Sequence, residues 1–169
     1  MTLGSVRKLT ASDWQALRAA RLAALAEAPY AFGSTLAREQ AFDEEIWRSR
    51  AGSGRTFGAF DGAAIVGLAT GFPDDTEHAP ADRQPGWHLV GMWVAPGWRG
   101  QGIADRLVEA VCDLARRAGA GTVTLGVTEV NDRARAFYRR LGFAPTGVRQ
   151  PVRPEEPDHW EEELARQLR

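Results

Sequence analysis

Three stretches of the sequence predict a single α/β domain, built on a mixed, mostly antiparallel sheet of about seven strands with helices on both faces. Trp87 to Thr128 holds a β-like run, a glycine-rich turn, an amphipathic helix and a second β-branched run, the order and length of a parallel β-α-β crossover. Thr56 to Asp61 and Ala64 to Phe72 are β-like runs joined across Asp61-Gly62, a dipeptide favoured in antiparallel hairpins. Phe143 to Arg149 and His159 to Arg166 read as two further strands. The 169 residues suffice for one substantial core, since a chain of this size buries about 68–70% of its unfolded surface.

The remaining elements follow in order. Ser5 to Thr10 reads as a short first strand, and Ser12-Asp13-Trp14-Gln15 has the Ser-x-x-Gln form of a capping box before a helix from about Asp13 to Glu27. Pro29 and the segment Tyr30 to Thr35 interrupt it, and a second, rather polar helix is expected over Leu36 to Arg50. Pro73 to Gly86, with three prolines and four carboxylates, is expected to be a mobile surface loop. Ile103, Leu107, Val111 and Leu114 or Ala115 fall at helical spacing opposite Asp105, Glu109, Asp113 and Arg116, the pattern of a helix lying on a sheet. Asn131 or Asp132 caps a shorter helix carrying Ala134, Phe137, Tyr138 and Leu141, which Gly142 ends; Gln150 to Asp158 is a proline-rich acidic loop.

With 21 basic and 22 acidic side chains the net charge is −1, so no global field points to nucleic acid or to an anionic membrane. The single cysteine, Cys112, has no internal disulfide partner and sits mid-helix beside Val111, where it reads as a small core residue. No apolar run reaches the length of a signal-peptide core or a membrane span, and a cytoplasmic location is expected.

Chemistry concentrates in Trp93 to Leu107. A helix start leaves main-chain N–H groups without intrahelical acceptors and favours negative charge, so a glycine-rich turn placed there suits phosphate. Arg99-Gly100-Gln101-Gly102-Ile103-Ala104 lacks the Gly-Lys-Ser/Thr ending of a nucleoside triphosphate loop, and Asp105 stands where a dinucleotide fingerprint needs its third glycine. Neither ATP nor NAD fits, and no metal-ligand pattern is present. On these residues alone, a plain strand-to-helix turn is the competing reading.

Together with the downstream run Asn131 to Phe143, however, the turn resembles the signature motifs of the GCN5-related N-acetyltransferases. Arg99, Gly102 and Ala104 match that family's Arg/Gln-x-x-Gly-x-Gly/Ala loop, and Asn131, Ala134, Phe137, Tyr138, Gly142 and Phe143 match its Asn-x-x-Ala-x-x-Phe/Leu-Tyr-x-x-x-Gly-Phe helix. The resemblance implies that acetyl-coenzyme A is the cosubstrate. Its pyrophosphate would be held by the main chain of Gly100, Gln101, Gly102, Ile103, Ala104 and Asp105, with Arg99 either adding charge or forming a structural ion pair. It also implies a bulged strand at Trp87 to Val94, splayed from Thr122 to Thr128, whose Met92, Trp93 and Val94 main chain pairs with the pantetheine arm and offers an oxyanion donor. Homodimers are common in such folds.

On the same resemblance, Tyr138 is the acid for the departing thiolate, with packing beside Phe137 as the competing role. Asn131 serves coenzyme contact or simple N-capping. The chain departs from the family pattern at the general base: the fifth-strand position where many relatives carry glutamate is Gly126. His88, on the fourth strand and with an unperturbed pKa near 6.5, Glu39 on the second helix, Glu129 and a water chain all remain as candidates. The aromatic-rich segment Tyr30 to Phe42 either reads the acceptor or plugs the sheet, and the acidic loops at Asp74, Asp75, Glu77 and at Glu155, Glu156, Asp158 suit a cationic amine. The implied activity is acetyl transfer to a primary amine of a small molecule or peptide, by direct attack in a ternary complex. Another acyl group, a hydroxyl acceptor, or a non-catalytic coenzyme A sensor are the alternatives.

Overall fold

The computed structural model describes residues 4–75 and 85–169. Its strands are β1 (Val6–Lys8), β2 (Thr56–Asp61), β3 (Ala64–Pro73), β4 (Gly86–Val94), β5 (Thr122–Thr128), β6 (Ala144–Pro151) and β7 (Trp160–Gln167). Its α-helices are α1 (Trp14–Glu27), α2 (Leu36–Gln40), α3 (Glu44–Ala51), α4 (Ile103–Arg117) and α5 (Asp132–Arg140). The hydrogen-bonded strand order is β1-β2-β3-β4-β5-β7-β6. β4 and β5 run parallel, and the pairs β1–β2, β2–β3, β5–β7 and β6–β7 are antiparallel. The expected mixed, mostly antiparallel seven-stranded sheet is therefore present. Of the expected loop from Pro73 to Gly86, positions 76–84, Glu77 among them, lie outside the described residues.

The chain divides into two compact units, Met1–Thr70 with Gly91–Val111, and Gly71–Val90 with Cys112–Arg169. In the first, successive residues of β3 point to opposite faces, as strand geometry requires. A Cβ on Gly67 would meet Leu107 and Ile103, so α4 begins on that face and needs a glycine beneath it. Leu68 instead joins a buried cluster with Leu17 and Leu25 of α1, Trp47 of α3, Phe60 and Trp93. Helices thus cover both faces of this part of the sheet.

Two local features differ from the sequence reading. The helix expected from Leu36 to Arg50 is two helices, because the Asp43 side chain accepts from the Ile46 N–H at 3.0 Å and starts α3 afresh. Before α1, the reciprocal cap belongs to Thr10 and Asp13 rather than Ser12 and Gln15. The Thr10 N–H donates to Asp13 Oδ2 at 2.8 Å and the Asp13 N–H returns to the Thr10 carbonyl at 2.9 Å.

In the second unit β5 alternates cleanly. Val123, Leu125 and Val127 are buried on one face with Leu164 of β7. On that same side Glu162 of β7 binds Arg135 of α5 at 2.8 Å, and Arg166 reaches Cys112 of α4 at 3.9 Å. The other face carries Thr122, Thr124, Gly126 and Thr128, opposite Gln167, Ala165, Glu163 and Glu161. This second face is polar and positions most of the titratable groups considered below.

The Arg7–Asp13 pair supplies a pH-dependent part of the stability. Hydrogen bonding from Arg7, then the Thr10 N–H and the Arg7 charge, outweigh burial and lower the Asp13 carboxyl to about 2. A lowered folded value stabilises above the unfolded pKa of about 3.9 and loses that contribution as pH falls toward 2. Asp13→Asn is expected to cost ~1 kcal/mol at neutral pH, half-exposed Arg7 limiting the value, and the deficit should shrink between about pH 4 and pH 2 in urea unfolding curves.

Candidate functional site

The first unit holds the glycine turn. Gly100 and Gly102 adopt φ +77° and +79°, the left-handed region that other residues enter only with strain, and nothing lies within 4 Å of a Cβ built at either. The Arg106 N–H makes the first bond of α4, to the Gly102 carbonyl at 3.2 Å, so the N–H groups of Ile103, Ala104 and Asp105 have no acceptor within the helix. The turn is open and the helix dipole adds positive potential there. This geometry fits a pyrophosphate.

Arg99 is already paired. Its Nη2 donates to both Glu27 oxygens at 3.0 and 2.9 Å, and its Nε to the Val94 carbonyl at 2.9 Å. The Trp93 indole N–H donates to the same carboxylate at 2.9 Å. Trp93 first, and Arg99 after it, hold the Glu27 carboxyl below the usual carboxylate range against the effect of burial. β4 bends at Gly91, where φ is +63° and the Arg21 guanidinium lies 3.5 Å from the position of an absent Cβ. Met92, Trp93 and Val94 follow that bend.

Glu39 is completely buried. Arg21 Nε and Nη2 donate to its two oxygens at 3.0 and 2.9 Å, and Arg50 Nη1 adds a third bond at 3.1 Å. Burial works against ionisation, but the hydrogen bond and charge of Arg21, the charge of Arg50 and a hydrogen bond from Ser34 together hold the carboxyl below its ordinary value. The cluster is flanked by aromatic rings, Arg21 over Phe32 and Arg50 over Phe42 and Trp47. A carboxylate so enclosed is an ionised strut between α1, α2 and α3.

The second unit carries the other residues singled out from the sequence. Tyr138 lies on α5 with its ring edge-on to Phe137 and Phe143, and only 8% of the residue is exposed. Among the described residues its hydroxyl has no hydrogen-bond partner, and burial pushes its pKa well above the ordinary value. Asn131 caps α5, its Oδ1 accepting from the Ala134 N–H at 3.1 Å. Glu129 is paired with Arg149 and lowered by that hydrogen bond.

His88 lies between Asp74 and Thr124. Nε2 lies 2.6 Å from Asp74 Oδ1, and Nδ1 bonds the Thr124 hydroxyl across the β4–β5 ladder, which runs from Gly86 to His88. Two strand positions along, a Cβ on Gly126 would stand 2.6–2.7 Å from the carboxylate carbon and oxygens of Glu161. Periodicity marks Glu161 only as one polar residue of an alternating strand. Its reach across β5 depends on the β5–β7 register, which no local pattern in the sequence encodes. Among the described residues no cluster of His, Cys, Asp and Glu is arranged to hold a metal ion, and no helix is long and apolar enough to cross a membrane.

A parallel β4–β5 pair whose crossover helix starts at an open glycine turn, in a sheet with four antiparallel strand pairs, places the chain among mixed-sheet α/β domains. Comparison with known proteins identifies the family: the model of the acetyltransferase (GNAT) family matches residues 19–143, and the chain belongs to that family. Streptothricin acetyltransferase of Streptomyces lavendulae is 51% identical over 55 residues, 32% of this chain and 29% of that protein. The N-alpha-acetyltransferase RimI of Mycobacterium tuberculosis is 37% identical over 93 residues, 55% of this chain and 54% of that protein. The chain therefore spans between 29% and 54% of the length of these relatives. The structure of yncA, a putative acetyltransferase from Salmonella typhimurium with acetyl-CoA, shares the fold at TM-score 0.75 and 17% identity, over 100% of this chain and 95% of that one.

The Arg21–Glu39–Arg50 cluster predicts a clear stability effect. Glu39→Gln leaves two arginines around an uncharged, buried side chain and is expected to lower the unfolding free energy by about 3 kcal/mol. Chemical denaturation monitored by tryptophan fluorescence measures it, since Trp47 packs in the same cluster.

Proposed function

We propose that the chain transfers the acetyl group of acetyl-coenzyme A to a primary amine of a small molecule or peptide, by direct attack within a ternary complex. The observation that carries this reading is the glycine turn, open in front of two left-handed glycines at the start of α4. Family membership and the acetyl-CoA named for the Salmonella structure support the donor. The names of the streptothricin and N-alpha-acetyltransferase relatives support an amine acceptor.

In this reading the main chain from Gly100 to Asp105 binds the pyrophosphate, and Met92, Trp93 and Val94 pair with the pantetheine arm. Because Arg99 is neutralised by Glu27 and also occupies the Val94 carbonyl, it acts as a brace for the turn; phosphate binding falls to main-chain N–H groups and the helix dipole. Glu39 is assigned a structural role by its burial and its two arginines. Asn131 sets the start of α5.

Tyr138 remains protonated through neutral and mildly alkaline pH because burial opposes its ionisation. The same shift makes it a weak acid, so its main contribution is a hydrogen bond to the departing sulfur as charge develops there, with proton transfer completed as the carbon–sulfur bond opens. The amine must be neutral to attack the thioester carbon.

Release of free thiol from acetyl-coenzyme A across a panel of amines tests the reading. Tyr138→Phe is expected to lower kcat by about a hundredfold with little change in donor KM. Gly102→Val, which forces a branched side chain into a left-handed position and onto the open ground before α4, should weaken coenzyme A binding at least about tenfold, or ~1.4 kcal/mol, by calorimetry. Full activity in Tyr138→Phe removes that residue from the chemistry, and unchanged binding in Gly102→Val removes the turn.

A further inference from the structure

Gly126 lies on the polar face of β5 in the second unit, and its missing side chain makes it the floor between Thr124 and Thr128. It is exposed, whereas Thr124 and Thr128, its neighbours on the same face of β5, are only 4% and 7% exposed. Its φ lies outside the left-handed region, so the backbone itself does not require glycine there. What excludes a side chain is the Glu161 carboxylate, 2.6–2.7 Å from the position of a Cβ. Glu161 sits opposite Thr128 in the β5–β7 register and leans diagonally over residue 126.

The groups around this floor are polar and incompletely satisfied. Glu161 Oε1 accepts from Gln150 Nε2 at 2.8 Å, and among the described residues Oε2 has no partner. The Thr128 hydroxyl is buried and also lacks a partner among the described residues, a state that favours binding of a hydrogen-bonding group there. On the far side the Thr124 hydroxyl is tied to His88, whose Nε2 lies near Asp74 Oδ1. Glu163, also on this face, is held by the Thr146 hydroxyl at 2.9 Å; Glu162 and Arg149 belong to the opposite face. The free carboxylate oxygen, the unsatisfied hydroxyl and the negative balance of Asp74, Glu161 and Glu163 match a small cation with N–H groups to donate.

We propose that the polar face of β5 around Gly126 receives the amino group of the acceptor and that Glu161, reaching in from β7, is the catalytic carboxylate that takes its proton. The assignment rests on the reading of the chain as an amine acetyltransferase. The ammonium group enters with three protons and loses one to solvent. The neutral nitrogen then forms its bond to the acetyl carbon, becomes positive and far more acidic, and passes a second proton to Glu161. As the carbon–sulfur bond breaks, the sulfur takes the Tyr138 proton and leaves as thiol, Glu161 gives its proton to water, and Tyr138 is reprotonated from water. One amide, one thiol and one net proton result from one thioester and one ammonium ion.

The test uses three probe amines, Nα-acetyl-lysine methylamide, unblocked alanyl-glycine and spermidine, with thiol release followed from pH 6 to 9. Glu161→Gln keeps the shape and the contact to Gln150. It is expected to lower kcat/KM for the amine by about a hundredfold, to change the ascending limb of the pH profile, and to leave donor KM within about twofold. Moving the carboxylate to the floor, Gly126→Glu with Glu161→Ala, should regain at least about tenfold over Glu161→Ala alone, because the space is the same and the backbone permits it. Wild-type rates in Glu161→Gln, a loss with an unaltered pH profile, or no rescue by the relocated carboxylate each overturn the assignment while leaving the transferase reading in place. No turnover of any probe by the wild type, with coenzyme A still bound, overturns both.

Discussion

The carboxylate of Glu27 holds the glycine-turn end of the first unit together. It is the last residue of α1, and it accepts from the Trp93 indole near the end of β4 and from Arg99 immediately before the glycine turn. The end of α1 is thereby tied to two nearby points, Trp93 and Arg99, that lie 66 and 72 residues further along the chain. The position of Gly100 and Gly102 relative to the end of β4 follows from this bracket, and so does the neutralisation of the basic side chain that a phosphate would otherwise meet first. A turn with its cation cancelled must rely on directed N–H groups, which discriminate shape more than total charge.

Much of the architecture was legible because it is written in local periodicity. The residues expected at the core-facing positions of α4, Ile103, Leu107, Val111 and Ala115, are essentially inaccessible in the structure, and Asn131 caps α5 where its position before a helical pattern predicts. The errors arose where one short polar side chain decides between two local arrangements. Asp43 fits a helical face as well as it fits a cap, and only its bond to Ile46 selects the cap. Thr10 and Ser12 are equally good cap residues on paper, and Arg7 favours the one that leaves Asp13 within its reach.

The candidate site was legible in part, for a related reason. The glycine turn and the α5 pattern are contiguous motifs and survive reading in one dimension. Glu39 stood out through its aromatic neighbours, yet its partners are 18 and 11 residues away, so the sequence presented a candidate base where the fold has an internal counterion. Gly126 marked an absence, and the group that fills it comes from β7, a neighbour only through the strand order β5-β7-β6. Long-range register carries that information, and no window of the sequence contains it.

Cys112 has no exposed surface and is the chain's single thiol. Its sulfur is therefore shielded from disulfide reagents while α4 remains packed, and any thiol-detecting assay meets a silent protein background. The same residue serves as an internal clock of opening. The rate at which one equivalent of label is taken up reports how often the segment around Cys112 parts from its packing, in the folded protein and without denaturant.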